Sequence, residues 1–435
     1  MIHSTFEDAF TDEWLTSHIQ NQDHEFVILR QVIGWQSLIE QLTPFYHARK
    51  GRIGKSLRTM VALLIVSRWR QLSDDQVVQQ VKENRYMQYF CNVSDVELSG
   101  FIDSSSLSRF RQRLGKKGIA IIESSVFHRF RHAGIIDGDT LLMDSTVLPN
   151  HLIYPNDVRL IHQAFSKMAA FTRREQLPIW WDETHLKKRW RAFGRSKAKQ
   201  RPTYLAEFYL LFVPALETFQ HHIDALQTSP KDSQLLAVLE LLRFQTEQKL
   251  KGERHIENRL VSLDEIDARP IKKGKTYPTC EFGSTVQMTF NRQGFMITTE
   301  NFIGQPGDAT LYAETFDRFQ NRMQTAPRTV VTDLGFRSRD NFKATPDSVS
   351  NVFLGHSGAV ISEQRDFCHK ARSATEGFIA VAKNLRGFGK SLYKRLTGDR
   401  IWTLLCQTAY NLKKFMQLFR AGQLRVENLR RLGLC

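Results

Sequence analysis

The chain has 435 residues, with 61 Lys and Arg against 45 Asp and Glu, which gives a net charge of +16 and an isoelectric point near 9.7. Its length predicts two or three domains, and its composition excludes a disordered chain. The charge indicates a polyanionic partner, nucleic acid before anionic membrane.

Targeting and redox signals favour a cytoplasmic location. No apolar run reaches the roughly 18 residues of a membrane span, and "MIHSTFEDAF" lacks the basic start and apolar stretch of a secretory signal. The five cysteines are scattered and form no C-x-x-C pair. This pattern argues against a disulfide framework or a zinc knuckle and fits a reducing compartment.

Residues 1–135 are predicted to form a helical domain that binds DNA ends. "SLRTMVALLIVSRWRQL" has helical spacing, and Ser73 is predicted to cap the next helix. "DSSSLSRFRQRLG" predicts a short basic helix that Gly115 ends. Its Arg109, Arg111 and Arg113 suit a DNA groove, and a helical bundle with solvated arginines explains them equally well.

A buried strand is predicted in "DTLLMDSTVL", followed by a mainly helical, basic insert at about 156–270. Pro214 is expected to break one of its long helices. The stretch "HLKKRWRAFGRSKAKQRP" carries eight cations and no acid. Such runs are usually only solvated, but the interleaved Trp190 and Phe193 suit stacking beside phosphate contacts. The candidate DNA-binding residues here are Lys187, Lys188, Arg189, Arg191 and Lys197.

The remaining elements predict an α/β fold, a mixed sheet flanked by helices. "GSTVQMTFNRQGFMITTENFIG" alternates on both sides of "NRQG", as a β-hairpin does. A helix follows in "ATLYAETFDRFQNRM", then strands in "RTVVTDLGF" and "SVSNVFLG". A helix in "RSATEGFIAVAKNL" and a basic helical C-terminus complete the order.

Two acids stand at the ends of predicted buried strands, Asp144 in "LLMDST" and Asp333 in "VVTDLGF". For either alone, a helix cap or a loop hydrogen bond is the commoner explanation. Glu376 lies on a helix that should pack beside both strands. Three converging carboxylates would repel one another unless a hard cation such as Mg²⁺ or Mn²⁺ joined them. Asp157, Asp308 and Asp340 lie in turn-like polar contexts and are weaker candidates.

Arg372 and Lys383 share the helical face of Glu376, where they could hold phosphates. By spacing alone, an ordinary surface ion pair between Arg372 and Glu376 is the simpler explanation.

Five stretches of the sequence resemble the DDE transposases of bacterial insertion sequences. They are "DSSSLSRFRQRLG", "LLMDSTVLPN", "EFGSTVQMTFNRQGF", "VVTDLGFRS" and "RSATEGFIAVAKNLRGFG". Arg372, Glu376 and Lys383 match the Arg, Glu and Lys of that group's Tyr-x₂-Arg-x₃-Glu-x₆-Lys signature, while His369 stands at the tyrosine position. The resemblance covers most of the chain except the detail of the insert.

The resemblance implies an RNase H-like catalytic domain at 136–420, interrupted by the insert, and a basic tail at 421–435. Asp144, Asp333 and Glu376 would be the catalytic, metal-binding triad, with Mg²⁺ replaceable by Mn²⁺. His369, Arg372 and Lys383 would contact DNA. The implied activity is two-metal cleavage of terminal inverted repeats and strand transfer to target DNA, by a homodimer when DNA is bound. A catalytically inactive DNA-binding relative and an RNase H-like nuclease remain alternatives.

Overall fold

The computed structural model describes residues 9–46, 54–226, 229–274, 279–354 and 362–434. In these ranges the strands are β1 Thr140–Pro149, β2 Arg269–Ile271, β3 Glu281–Phe290, β4 Met296–Ile303, β5 Thr329–Thr332 and β6 Asn351–Leu354. The helices are α1 Asp12–His18, α2 Glu25–Val32, α3 Trp35–Leu42, α4 Leu57–Trp69, α5 Asp74–Glu83, α6 Arg85–Cys91, α7 Asp95–Leu98, α8 Ser104–His132, α9 Asp157–Arg174, α10 Glu183–Gly194, α11 Arg201–Leu226, α12 Pro230–Leu250, α13 Asp308–Met323, α14 Arg339–Ala344, α15 Ser362–Leu385, α16 Arg395–Arg420 and α17 Val426–Leu432.

The six strands described form one mixed sheet, so the predicted α/β class is confirmed. Strand β1 lies between β3, which is antiparallel to it, and β5, which is parallel; β6 extends the sheet beyond β5, and β2 and β4 both pair with β3. Strand β5 pairs only with the start of β1, from Thr140 to Leu142. Because β1 continues beyond its last pair with β5, the two strands separate there. Polar side chains can face the space between them.

The edge strand β4 is covered by the C-terminal helix α16. The amide of Asn411 accepts a hydrogen bond from Met296 N and donates one to Met296 O, at 2.9 and 2.8 Å. Gln407 donates to Met296 O and to Ile297 O, at 3.2 and 3.1 Å. These bonds satisfy backbone groups that would otherwise be open to another strand. The predicted helical C-terminus is therefore present, and much of α16 is buried.

The N-terminal helices and the sheet share one hydrophobic core. It includes Phe127 and Phe130 of α8, Met143 of β1, Phe295 and, from α16, Phe415. On the opposite face of the sheet, Leu142 and Val331 pack with Cys368, Ala371 and Ala382 of α15. This second layer holds α15 beside β1 and β5, as predicted for the helix of Glu376.

The insert has a hydrophobic core of its own. Ile161 and Phe165 of α9 pack with Phe208 and Phe212 of α11 and with Leu239 of α12. The predicted helices are thus present between β1 and β2. The predicted break at Pro214 is wrong, because α11 passes through it. One missing N–H costs less than exposing the apolar side chains on both sides of that proline would.

The prediction that Gly115 ends its short helix is confirmed, because its backbone is not helical and separates two helical segments of α8. Gly115 has φ 56° and ψ −165°, which kinks the chain, but helix geometry resumes and continues to His132. The second segment carries Ile119, Ile122 and Val126, which are buried in the shared core. Their spacing on one face explains why the helix resumes. The cap by Ser73 is confirmed, since its hydroxyl accepts from Gln76 N.

Candidate active site

Asp144 lies within β1, two residues beyond its last pairing with β5, and Asp333 directly follows the parallel strand β5. The prediction that Asp144 ends its strand is wrong, because β1 continues to Pro149 in its pairing with β3. Asp144 Oδ1 accepts a hydrogen bond from Ser145 N at 2.6 Å. Asp333 caps a short 3₁₀ turn, Leu334–Phe336, where its Oδ1 accepts from Gly335 N at 2.9 Å. The local hydrogen bonds expected of such acids are therefore present. Each of these two carboxylates can accept about four hydrogen bonds, so one local bond leaves oxygen lone pairs available for another ligand.

The two carboxylates act on each other electrostatically. Burial, followed by the neighbouring charge of Asp333, raises the pKa of Asp144 to about 7. Burial, followed by the charge of Asp308, raises the pKa of Asp333. Like charges in a partly buried site disfavour ionisation of every member. A cation bound between them would remove this repulsion.

Asp308 is the third acid of this cluster, which we call the acidic cluster: Asp144, Asp308 and Asp333. Its Oδ1 accepts from Ser145 Oγ at 2.5 Å, and its charge raises the pKa of both other members. From sequence, Asp308 ranked as a weak, turn-like acid. The available signal was its place as the first residue of α13, directly after the hairpin whose strand β3 pairs with β1.

Gly335 leaves open the space between two of these acids. A Cβ on this glycine would lie 3.0 Å from Asp308 Oδ2 and 3.1 Å from Asp333 Oδ1. Side-chain carbons rarely approach oxygen so closely, so residue 335 has to remain without a side chain to keep the carboxylates in place. Both oxygens consequently border one small volume beside Gly335. Carboxylate oxygens around such a space suit a hard divalent cation, which Asp144 and Asp333 would hold.

Glu376 is on the exposed side of α15. Its side chain is 66% exposed and lies 3.9 Å from the guanidinium of Arg372. Arg372 in turn lowers the pKa of Asp333. In the ranges that the structure covers, no three His, Cys, Asp or Glu side chains are close enough together to hold a metal ion. The structure thus brings Asp144 and Asp333 together, and links Glu376 to them through Arg372.

Lys383 lies further along α15 and is mostly buried. Its Nζ is 3.3 Å from Glu281 Oε1, and the two side chains are 17% and 13% exposed. Such a pair fixes α15 to β3. His369, at the tyrosine position of the signature, is half-buried on the same helix.

The three N-terminal arginines differ in their surroundings. Arg109 is exposed and donates to Ser105 Oγ at 2.8 Å. Arg111 is 8% exposed and makes two hydrogen bonds to Asp74, at 2.8 and 2.6 Å, that join α8 to α5. Arg113 is exposed, with its guanidinium 4.5 Å from the Tyr46 ring centroid. Arg109 and Arg113 are thus open to a partner, whereas Arg111 serves the helical packing.

The predicted DNA-binding residues of the insert lie on or after α10, and most are exposed. Lys188, Arg191 and Lys197 face solvent. Lys187 is 3.6 Å from Glu183, and Arg189 pairs with Glu207 of α11. The exposed members leave a cationic surface on the insert. No helix in the described ranges is long and apolar enough to cross a membrane.

Comparison with known proteins identifies the N-terminal region. An uncharacterized protein, ORF8 in the nfe locus of Rhizobium meliloti, is 28% identical over 186 residues, which cover 42% of this chain and 89% of that protein. No solved structure matches. The family model described as "Transposase domain (DUF772)" matches residues 14–113. In that region, α2 to α6 and the start of α8 form the helical part of the shared core. Over residues 14–113 this chain is therefore similar to the transposase domain family described as DUF772.

Proposed function

We propose that this protein is a DDE transposase of an insertion sequence, which cuts DNA at terminal inverted repeats and joins the ends to target DNA. The observation that carries the proposal is the electrostatic interaction of Asp144, within β1, with Asp333, which directly follows the parallel strand β5, in a chain whose residues 14–113 match a transposase domain. The proposed organisation has an end-binding domain at 1–135, a catalytic domain at 136–420 and a basic tail at 421–435.

The strand order supports an RNase H-like catalytic domain. With the short β2 set aside, the sheet has the order β4-β3-β1-β5-β6. The first three strands along the chain are antiparallel neighbours and the last two are parallel additions. Asp144 is then on the first strand and Asp333 directly follows the fourth. Glu376 is on a later helix, as the family resemblance implies.

In this proposal Asp144 and Asp333 hold Mg²⁺, and Glu376 is the third acidic residue. A bound divalent pair supplies activation of a water or 3′-hydroxyl and stabilisation of the leaving oxygen. Arg372 interacts electrostatically with both Asp333 and Glu376. Its guanidinium is therefore suited to orient a DNA phosphate beside the metal site. The positive surface of the insert would hold DNA further along its backbone.

The direct test is Mg²⁺-dependent cleavage of a labelled DNA fragment that carries a terminal repeat of the element. We expect cleavage by the wild-type protein and its loss in Asp333→Asn and in Glu376→Gln. Asp340→Asn, which removes an exposed acid of α14, is the matched control and should cut normally. Retained cleavage in both Asp333→Asn and Glu376→Gln would overturn the proposal.

One observation favours a second candidate, a transposase-derived protein that binds DNA without cutting it. Glu376 is 66% exposed, and among the described residues no three His, Cys, Asp or Glu side chains, those of the acidic cluster included, are close enough to hold a metal ion. Under this alternative the wild-type protein would bind terminal repeats specifically yet leave them uncut with either Mg²⁺ or Mn²⁺. Cleavage with either metal would exclude it.

A further inference from the structure

Lys273 brings a positive charge into the acidic cluster. It lies two residues beyond β2, and its side chain is 19% exposed. Its Nζ donates to Ser145 Oγ at 2.6 Å and is 3.5 Å from Asp308 Oδ2. The same Ser145 hydroxyl donates to Asp308 Oδ1, so the three groups form a closed set. The sequence offered no signal for this residue, since a lysine in a loop is usually solvated.

The charge of Lys273 reaches the whole cluster. It lowers the pKa of both Asp144 and Asp333, in opposition to burial and to the other acids. Arg372 also lowers the pKa of Asp333. Holding a lysine mostly out of water costs side-chain entropy and hydration. The carboxylates compensate for that cost and gain partial neutralisation in return.

We infer that Lys273 is the internal counter-cation of the acidic cluster, and that a divalent metal ion has to displace its ammonium group in order to bind Asp144 and Asp333. This inference rests on the proposed function, because it assigns the metal to those two carboxylates. An ammonium and a divalent cation beside the same acids repel each other strongly. The flexible four-carbon chain of Lys273 allows its charge to withdraw.

The competing explanation is a structural ion pair that only fastens the segment after β2 to the start of α13. The two explanations differ in metal affinity. A fastening pair can be removed without strengthening metal binding, and its loss would loosen the site. A counter-cation weakens metal binding by its presence, so its neutralisation should strengthen that binding.

The experiment measures Mn²⁺ binding to the full-length, metal-free protein without DNA, by electron paramagnetic resonance of free Mn²⁺. Lys273→Gln removes the charge and retains a donor for Ser145. We expect it to bind Mn²⁺ about tenfold more tightly than the wild type, the scale of one removed neighbouring charge in a partly buried site. Lys273→Met should show the same gain. Lys273→Arg, which keeps the charge, should bind as the wild type does.

Lys272→Gln is the matched control, since its side chain is the exposed neighbour and the change in net charge is identical. Equal Mn²⁺ affinity in Lys273→Gln and Lys272→Gln overturns the inference, as does weaker binding in Lys273→Gln. Asp144→Asn and Asp333→Asn separate this failure from that of the proposed function. If they leave the Mn²⁺ affinity of the wild type unchanged, the metal site itself is misassigned. If the two aspartate variants abolish Mn²⁺ binding while Lys273→Gln and Lys272→Gln have equal Mn²⁺ affinity, only the role inferred for Lys273 is overturned.

Discussion

Two aspartates, the buried Asp157 in the insert and the half-buried Asp144 in the sheet, show how neighbouring charges decide the role of a carboxylate. Asp157 is 4% exposed and lies at the start of α9, where it pairs with Lys249 and with Arg259 at 2.8 Å. Burial acts to raise its pKa, but Arg259 and Lys249 together hold that pKa below the usual value. Asp144 faces Asp333 and Asp308, and its pKa is raised to about 7.

The opposite pKa shifts distinguish a structural acid, whose charge is neutralised by cations of the protein, from an acid whose charge would be neutralised by a bound cation. Asp157 is neutralised within the insert, where its cations join α9 to α12 and to the segment after it. In the acidic cluster three carboxylates lie together, and Lys273 contacts one of them, Asp308. Removing Asp157 should therefore damage the fold, whereas removing Asp144 should damage only the chemistry.

The largest expected effect is on catalysis. If the proposed function holds, Asp144→Asn should lower metal-dependent cleavage of terminal-repeat DNA about a thousandfold, or about 4 kcal/mol in activation free energy, because a proposed metal ligand is removed. Urea denaturation of the metal-free variant at pH 7 should show stability equal to or above that of the wild type, because one repelling charge is gone. A variant that is both inactive and clearly less stable would make Asp144 a structural acid like Asp157.

The pH dependence of stability should distinguish the two acids. Native Asp144 keeps its proton up to about pH 7, while the unfolded chain releases it near 3.8. The native state then binds more protons, so the free energy of unfolding falls as pH rises between these values. Relative to Asp144→Asn, the wild type in EDTA should lose roughly 2–4 kcal/mol across this window. Parallel curves for the two proteins would contradict the raised pKa.

Asp157 should show the opposite slope. Its lowered pKa stabilises the native state above pH 3.8, and this contribution is lost as pH falls through the native pKa. Asp157→Asn should cost about 2–3 kcal/mol at pH 7 in urea denaturation, less than a fully buried pair because Lys249 and Arg259 are 40% and 32% exposed. Asp264→Asn removes an exposed acid paired with Lys167 and should cost under about 1 kcal/mol. A similar loss of unfolding free energy in Asp157→Asn and Asp264→Asn would show that Asp157 stabilises the fold no more than an exposed acid does.

Five of the six strands described, and their order along the chain, could be predicted from sequence because local patterns decide them; the short β2 was missed. Alternation around "NRQG" located β3 and β4, and apolar runs that end in acids located β1 and β5. An error arose where tertiary packing overrode a local breaker. At Pro214 the apolar face continues beyond the proline, so burial sustains α11, whereas the helical segment before Gly115 ends at that residue as predicted. The periodicity of the apolar residues in both helices is visible in the sequence.

The site was predicted less completely, since its members come from distant segments. Asp144 and Asp333 follow from the sheet alone. Asp308 and Lys273 meet at Ser145 only because α13 and the segment after β2 reach the same end of β1. The sequence also did not show which charged side chains have an oppositely charged partner in the fold. Arg111 and Arg109 look alike in sequence, yet Asp74 holds one of them inside the helical region.

A smaller effect is expected at the glycine between the acids. Gly335→Ala would place a Cβ 3.0 Å from Asp308 Oδ2 and 3.1 Å from Asp333 Oδ1. One carboxylate has to move, so Mn²⁺ affinity should fall about tenfold, which corresponds to about 1.4 kcal/mol. Thermal denaturation should change little. Gly100→Ala is the control, because a Cβ there meets no atom within 4 Å. Unchanged Mn²⁺ affinity in Gly335→Ala would place the metal away from this glycine.

The smallest effect should come from the cationic surface of the insert. Replacing the exposed Lys188 and Arg191 by Gln should weaken DNA binding uniformly across sequences. It should also lower the slope of log K against log salt by about two, because each of these side chains would neutralise one phosphate. Fluorescence anisotropy at several salt concentrations measures both quantities.

The matched control for this surface is the double variant Lys167→Gln with Lys251→Gln, which removes the same charge from cations held by Asp264 and Glu247. Because acids already neutralise these two lysines, their replacement should leave the salt slope nearly unchanged. Equal slopes for the two double variants would show that α10 contributes only net charge, and that its side chains do not touch DNA phosphates.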